Sequence, residues 1–165
     1  MAKTIDVKLL NPFLEATVEC LTQMAGVRPH RKRVFVKTDP VMHGQITGVI
    51  GLSNGLTGSC AVSFPLALAK RLVGTFLGES SVQISSEMVC DGVGEIANMV
   101  AGTAKRHFVA IGVIFNISTP TVVMGGERTA VHNPGGTMNI ACEFTVFPDL
   151  DETFLLEIAL KPTER

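Results

Sequence analysis

The chain has 165 residues, 46% of them hydrophobic and 18% charged, which excludes a disordered chain and is ample for one sizeable core. Fourteen Lys and Arg against fifteen Asp and Glu leave a net charge of -1, so no field of one sign argues for a polyanionic partner. All nine aromatics are Phe, and without Trp or Tyr the usual base-stacking platforms are scarce, so nucleic-acid binding is disfavoured.

Residues 1–8 alternate charged and apolar side chains and contain no apolar signal region. Nowhere does an apolar run approach the roughly 18 residues that a membrane span needs. Cys20, Cys60, Cys90 and Cys142 form no C-x-x-C pair, which reads as reduced thiols in a cytoplasmic protein. The four histidines are equally dispersed, and no spacing asks for a structural metal.

Asn11-Pro12 looks like a helix start, with Asn as cap and Pro in the first position. Phe13, Leu14, Thr17, Val18, Leu21 and Met24 then recur at helical spacing until Gly26. The basic run from Arg28 to Arg33 has two readings, a phosphate contact or a solvated turn after a helix C-terminus, and the second is favoured. Val34-Phe35-Val36 is a short strand. The β-like runs 45–52 and 56–64 flank Ser53-Asn54-Gly55, a strong hairpin signal. Pro65 opens an amphipathic helix that ends near Gly78. Ser85-Ser86 cap a longer one reaching about Phe108. Apolar runs at 113–117 and 121–124 follow, then a loop from Glu127 to Gly136. The strands 138–147 and 153–160 close the chain.

Residues 11–64 and 86–160 share the order helix, strand, hairpin, which predicts pseudo-duplicated αβββ halves. The expectation is an α+β fold, two long helices on one antiparallel sheet, in a single domain spanning 1–165. Two motif matches fail on context. Gly51-Leu52-Ser53-Asn54-Gly55 fits the nucleophile elbow G-x-S-x-G, but no helix follows it. Gly92-Val93-Gly94-Glu95-Ile96-Ala97 fits a dinucleotide fingerprint, yet cap chemistry precedes it, so its glycines fall inside a helix.

On a wheel of roughly 100° per residue, Val89, Val93, Ile96, Val100 and Ala104 form one face of that helix. Asp91, Glu95, Asn98 and Gly102 form the opposite one. Each interior glycine costs up to about 1 kcal/mol relative to alanine. Gly92, Gly94 and Gly102 therefore read as clearance that lets something approach Glu95 and Asn98. Taken alone, the pair is weak evidence, and a solvated Glu and Asn on a glycine-tolerant surface helix is the favoured reading.

The stretch from Asp91 to Lys105 resembles the E-x-x-N signature helix of the CheC/CheX/FliY chemotaxis phosphatases. The opening Asn11-Pro12-Phe13-Leu14-Glu15-Ala16-Thr17 looks like the CheX branch in particular, and Ser118 to Gly126 is similar to the segment after that helix. The resemblance implies the CheC-like fold, two long helices on an antiparallel sheet. It also implies dephosphorylation of the aspartyl phosphate on a CheY-like response regulator. Asn98 would position water, and Glu95 would pair with the regulator's active-site lysine. Asp91, Gly94 and Gly102 would complete the partner-binding face. The Mg²⁺ would belong to the regulator, leaving this chain without a cofactor of its own, and a homodimer is expected. The first helix offers Glu15 but Val18 where an Asn would be needed, so activity transfers only to Glu95 and Asn98. The alternatives are a non-catalytic module that binds the phospho-regulator and a structural dimerisation domain.

Overall fold

The computed structural model describes residues 6–39, 41–126, 128–130 and 136–161. In chain order these form α1 (Val7–Ala25), β1 (His30–Lys37), β2 (Val41–His43), β3 (Ile46–Ser53), β4 (Gly58–Phe64) and α2 (Leu66–Leu77). A 3-10 turn at Ser81–Gln83 leads to α3 (Ser86–Ala110). Then come β5 (Asn116–Ile117), β6 (Thr121–Met124), β7 (Arg128–Ala130), β8 (Met138–Thr145) and β9 (Thr153–Leu160). The main sheet is antiparallel, in the order β1-β8-β9-β4-β3, and both β5 and β6 pair with the free side of β3. The fold is α+β as expected, with α2 as a third helix on the sheet. The N-terminal reading of residues 1–5 and the part of the expected loop at 131–135 lie outside the described residues. Of that loop, β7 pairs with β2 as a separate two-stranded ribbon.

The strand order reads the same from both ends when the halves are exchanged. β4 and β9 sit side by side at the centre, β3 and β8 outside them, and the outermost strands cross over to the other half. The two long helices repeat the correspondence. Residues 11–20 of α1 and 91–100 of α3 share one succession of exposed, buried and half-buried positions. In that register Glu15 matches Glu95, and Val18 matches Asn98.

Three local expectations are corrected. First, α1 starts at Val7 under an Asp6 cap whose carboxylate accepts from the Lys8 N–H at 2.9 Å, and Pro12 lies inside the helix. The stripe Leu9, Leu10, Phe13 and Leu14 already has helical spacing upstream. Pro12 forfeits only the bond to the carbonyl of Lys8, which is exposed and open to water. Second, the basic run is no turn, because His30–Arg33 belong to the edge strand β1. Its cations meet acids across the sheet. Arg33 Nε lies 2.6 Å from Glu143 Oε2 and its guanidinium covers the Phe35 ring. Lys37, 8% exposed, pairs with Glu157, 5% exposed, and also donates to the Val41 carbonyl. Cations along an edge strand also deter pairing with a foreign strand. Third, Gly92 and Gly94 are packing glycines rather than open clearance, since Val73 and Val122 stand where their side chains would go.

Two clusters of Phe rings fill the core. Phe108 meets Phe13 and Phe115 edge-on, each at 5.2 Å between centroids, joining α1, α3 and the loop before β5. Phe154 stacks between Phe64 at 4.9 Å and Phe144 at 5.2 Å over the sheet.

All four cysteines are free. Burial pushes the Cys60 thiol up to about 12 and Cys142 to about 11, and it raises Cys20 as well, although the bond to Thr103 pulls that one back. The thiolate is the reactive form, so these three should be inert in the native state. A disulfide reagent is expected to titrate one thiol, the half-buried Cys90, in native protein and four after denaturation. A second fast equivalent would contradict the packing around Cys20, Cys60 or Cys142.

Candidate active site

The helix α3 carries the expected face because its cap and stripe leave no other register. Ser85 Oγ accepts from the Met88 N–H at 3.2 Å, Glu87 follows in the first turn and His107 stands in the last. Val89, Val93, Val100 and Ala104 are fully buried and Ile96 is 3% exposed, which leaves Asp91 and Glu95 exposed and Asn98 and Gly102 half-buried on the other side. Three residues of helix separate Glu95 from Asn98 by about 4.5 Å along the axis, so their side chains are neighbours. Among the described residues nothing hydrogen-bonds or ion-pairs with the side chains of Asp91, Glu95 or Asn98. Their polar groups are left for water or for a partner.

The glycines act at the flanks of this face. Gly92 and Gly94 lie roughly 70–90° to either side of the Glu95–Asn98 direction. A Cβ on Gly92 would stand 2.5 Å from Val73 Cγ2 of α2, and one on Gly94 would stand 3.2 Å from Val122 Cγ2 of β6. Their missing side chains let α2 and β6 close in as walls. At Gly102, by contrast, nothing lies within 4 Å of the point where a Cβ would stand. Beneath, β3 supports the helix through Gly48, whose Cβ would lie 3.0 Å from Ala97 Cβ and 3.1 Å from the Val93 carbonyl oxygen. The segment after α3 is fastened as well. Ser118 Oγ accepts from the Gly51 N–H at 2.8 Å and donates to the Thr119 carbonyl, which holds Pro120 and Val122 against Gly94.

The matching face of α1 differs in chemistry. Glu15 is exposed and lies 3.5 Å from His107 Nδ1, while Glu19 lies 2.9 Å from its Nε2. Val18 brings no amide there. A cleft of about 590 Å³ opens beside it, between Leu14, Val18 and Phe144 on one side and Arg28, His30 and Arg31 on the other. It belongs to the α1 half and includes neither Glu95 nor Asn98. The two rejected motifs fall where their context placed them. Ser53 ends β3 in a hairpin, with Asn54 and Gly55 at φ 57° and 133°, and the glycines at 92 and 94 sit inside α3. Among the described residues no group of three or more His, Cys, Asp or Glu is arranged to hold a metal, and no helix is long and apolar enough to cross a membrane.

An E-x-x-N pair on an exposed helix face, in two αβββ-like halves, is the arrangement that comparison with known proteins can test. The family model for chemotaxis phosphatase CheX matches residues 46–145, which include all of α3. The chain belongs to the CheX family. A CheY-P phosphatase CheX of Thermotoga maritima is 28% identical over 124 residues, 74% of this chain and 79% of that protein. Among solved structures, a chemotaxis protein of Desulfovibrio vulgaris Hildenborough is 30% identical with a TM-score of 0.80, covering 97% of this chain and 99% of its own. The CheX of Vibrio vulnificus is also 30% identical with a TM-score of 0.80, covering 93% of this chain and 99% of its own. The CheX match takes in α3 and leaves α1 outside. Sequence reasoning missed the walls, Val73 on α2 and Val122 on β6. A glycine inside a helix was the available signal, but it shows close approach without saying by what.

Proposed function

We propose that the chain dephosphorylates the aspartyl phosphate of a CheY-like response regulator. The observation that carries this reading is the uncommitted Glu95–Asn98 pair on the exposed face of α3 in a chain of the CheX family. The Thermotoga relative bears the name of this activity.

An acyl phosphate carries its own good leaving group, and its hydrolysis passes through a loose transition state. The catalytic task is therefore to hold a water in line with the phosphorus, and a strong base is not needed. The Asn98 amide suits the task, because its oxygen accepts from water and its NH₂ donates without titrating. The water oxygen attacks phosphorus, the bond to the aspartyl oxygen breaks, and the carboxylate leaves with its electron pair. Glu95 cannot usefully face the phosphate, since both are anionic. Pairing with the regulator's lysine fixes the register of the two proteins and avoids that repulsion. Asp91 and Gly102 extend the docking face, and Gly94 supports it through the wall that it admits. The whole chain acts as one domain, cytoplasmic and paired with a second copy. Its Mg²⁺ requirement is met on the regulator, where hard oxygen ligands and the phosphoryl group supply the site.

The reading is tested by following phosphate release from a phosphorylated CheY-like regulator with and without the chain. Accelerated release supports it, and an unchanged rate across regulators of the same cell refutes it. Glu95→Lys reverses the charge that meets the lysine. It is expected to weaken docking by roughly tenfold or more in a titration with phosphorylated regulator. Undiminished affinity would remove Glu95 from the interface.

A further inference from the structure

Beside the Glu95–Asn98 face, a cleft of about 370 Å³ runs between α2 and α3. Val73, Phe76 and Leu77 form its α2 wall, Met88 closes one end, and Asp91 and Glu95 stand at the α3 rim. Gly92 lies at its base, where the missing side chain lets Val73 of α2 pack against the α3 backbone. Phe76 and Leu77 are 41% and 47% exposed although the core has ample apolar residues, and Val82 beyond them is 91% exposed. The lining holds two carboxylates and no cation. The one arginine of α2, Arg71, is already committed, bidentate to Asp149 at 3.0 and 3.1 Å and stacked on Phe147.

Apolar walls beneath a carboxylate rim complement a long basic side chain, whose methylene stem packs while its head stays among charges. An aromatic ring in the wall adds attraction for the cation. We infer that this cleft is a second docking pocket for the phospho-regulator and receives a lysine or arginine from the regulator's surface, distinct from the lysine that meets Glu95. Asp91 supplies its charge, and Phe76 and Leu77 supply its walls. The inference rests on the proposed function for the identity of the partner, but its geometry is independent of catalysis. A pocket that carries its charge at Asp91, about two helical turns before Asn98, sets the angle at which the regulator lies across α3. It therefore tunes which regulators dock rather than how fast phosphate leaves.

The test uses the intact chain. Isotope-labelled protein is titrated with regulator held in the phosphorylated-like state by beryllofluoride and Mg²⁺, and backbone amide shifts are followed. Saturable shifts at residues 73, 76, 77 and 88, together with those around 95–102, are expected. Shifts confined to 95–102 would overturn the pocket. So would shifts in α2 that appear on concentrating the protein without regulator, since a second copy would then be the occupant. In the companion measurement, Phe76→Ser and Leu77→Ser are each expected to raise KM for phosphorylated regulator roughly five- to tenfold at unchanged kcat. Unchanged KM in both variants, or a fall in kcat alone, would contradict the proposal. Failure of the wild-type chain to release phosphate would strike the proposed function, whereas the binding shifts would still decide the pocket.

Discussion

Asn98→Ala is expected to lower regulator dephosphorylation by roughly 100-fold or more, because misplacing a reacting group by about 1 Å already costs on that order. The substitution removes the single side chain on the Asp91, Glu95, Asn98 and Gly102 face that both accepts from and donates to water. It also disturbs little else. Asn98 is half-buried, its side chain has no hydrogen bond to any described residue, and alanine is the best helix former. Regulator binding should stay within about threefold of the original chain, since the contacts of Glu95 and of the neighbouring face remain. Rates measured at saturating regulator separate the two effects. A variant with full kcat would transfer the water-positioning role elsewhere, and a variant that loses binding in proportion to rate would make Asn98 a docking residue.

Phe108→Ala is expected to show the opposite pattern, a large loss of stability with the chemistry retained. Phe108 is fully buried and touches rings on both sides, Phe13 of α1 and Phe115 before β5. Removing a core Phe costs about 3–5 kcal/mol, and two edge-to-face ring contacts go with it. For a chain of this size each kcal/mol lowers Tm by about 2–4 °C, so a fall on the order of 10 °C is expected in a thermal melt. Asn98 lies ten residues away, about 15 Å along the helix, and is held locally by Gly48, Val73 and Val122. Below the lowered Tm, kcat should therefore stay near that of the original chain. A melt shifted by less than about 3 °C would mean that the Phe13–Phe108–Phe115 cluster is not a main tie between the halves.

The contrast between these two residues also shows what the sequence reveals and what it hides. Helical periodicity in residues 89–104 separates the core stripe from the Asp91, Glu95, Asn98 and Gly102 face, because both follow from one rotation per residue. Turn chemistry locates the β3–β4 hairpin for the same reason, the φ demanded at Asn54 and Gly55 being a local property. Long-range pairing is not local. The run from Arg28 to Arg33 looks like a solvated turn until Glu143 is brought alongside Arg33 by β8, more than a hundred residues later. Pro12 misleads because Asn-Pro is an equally good helix start, and only the upstream stripe at Leu9 and Leu10 decides against it. The glycines are the most instructive. Their number inside α3 announces close approach, but the approaching groups, Val73 and Val122, come from separate elements, so the walls of the site emerge only from the fold.

The most direct test of the account is turnover. A fixed amount of phosphorylated CheY-like regulator, labelled on the phosphoryl group and kept with Mg²⁺, is mixed with the chain at one-twentieth of its concentration, and phosphate release is followed to completion. The substoichiometric chain is expected to clear the whole pool far faster than the regulator clears itself. Release limited to about one equivalent per chain, or a phosphoryl group that decays more slowly than in the regulator alone, would identify a sequestering module and contradict it.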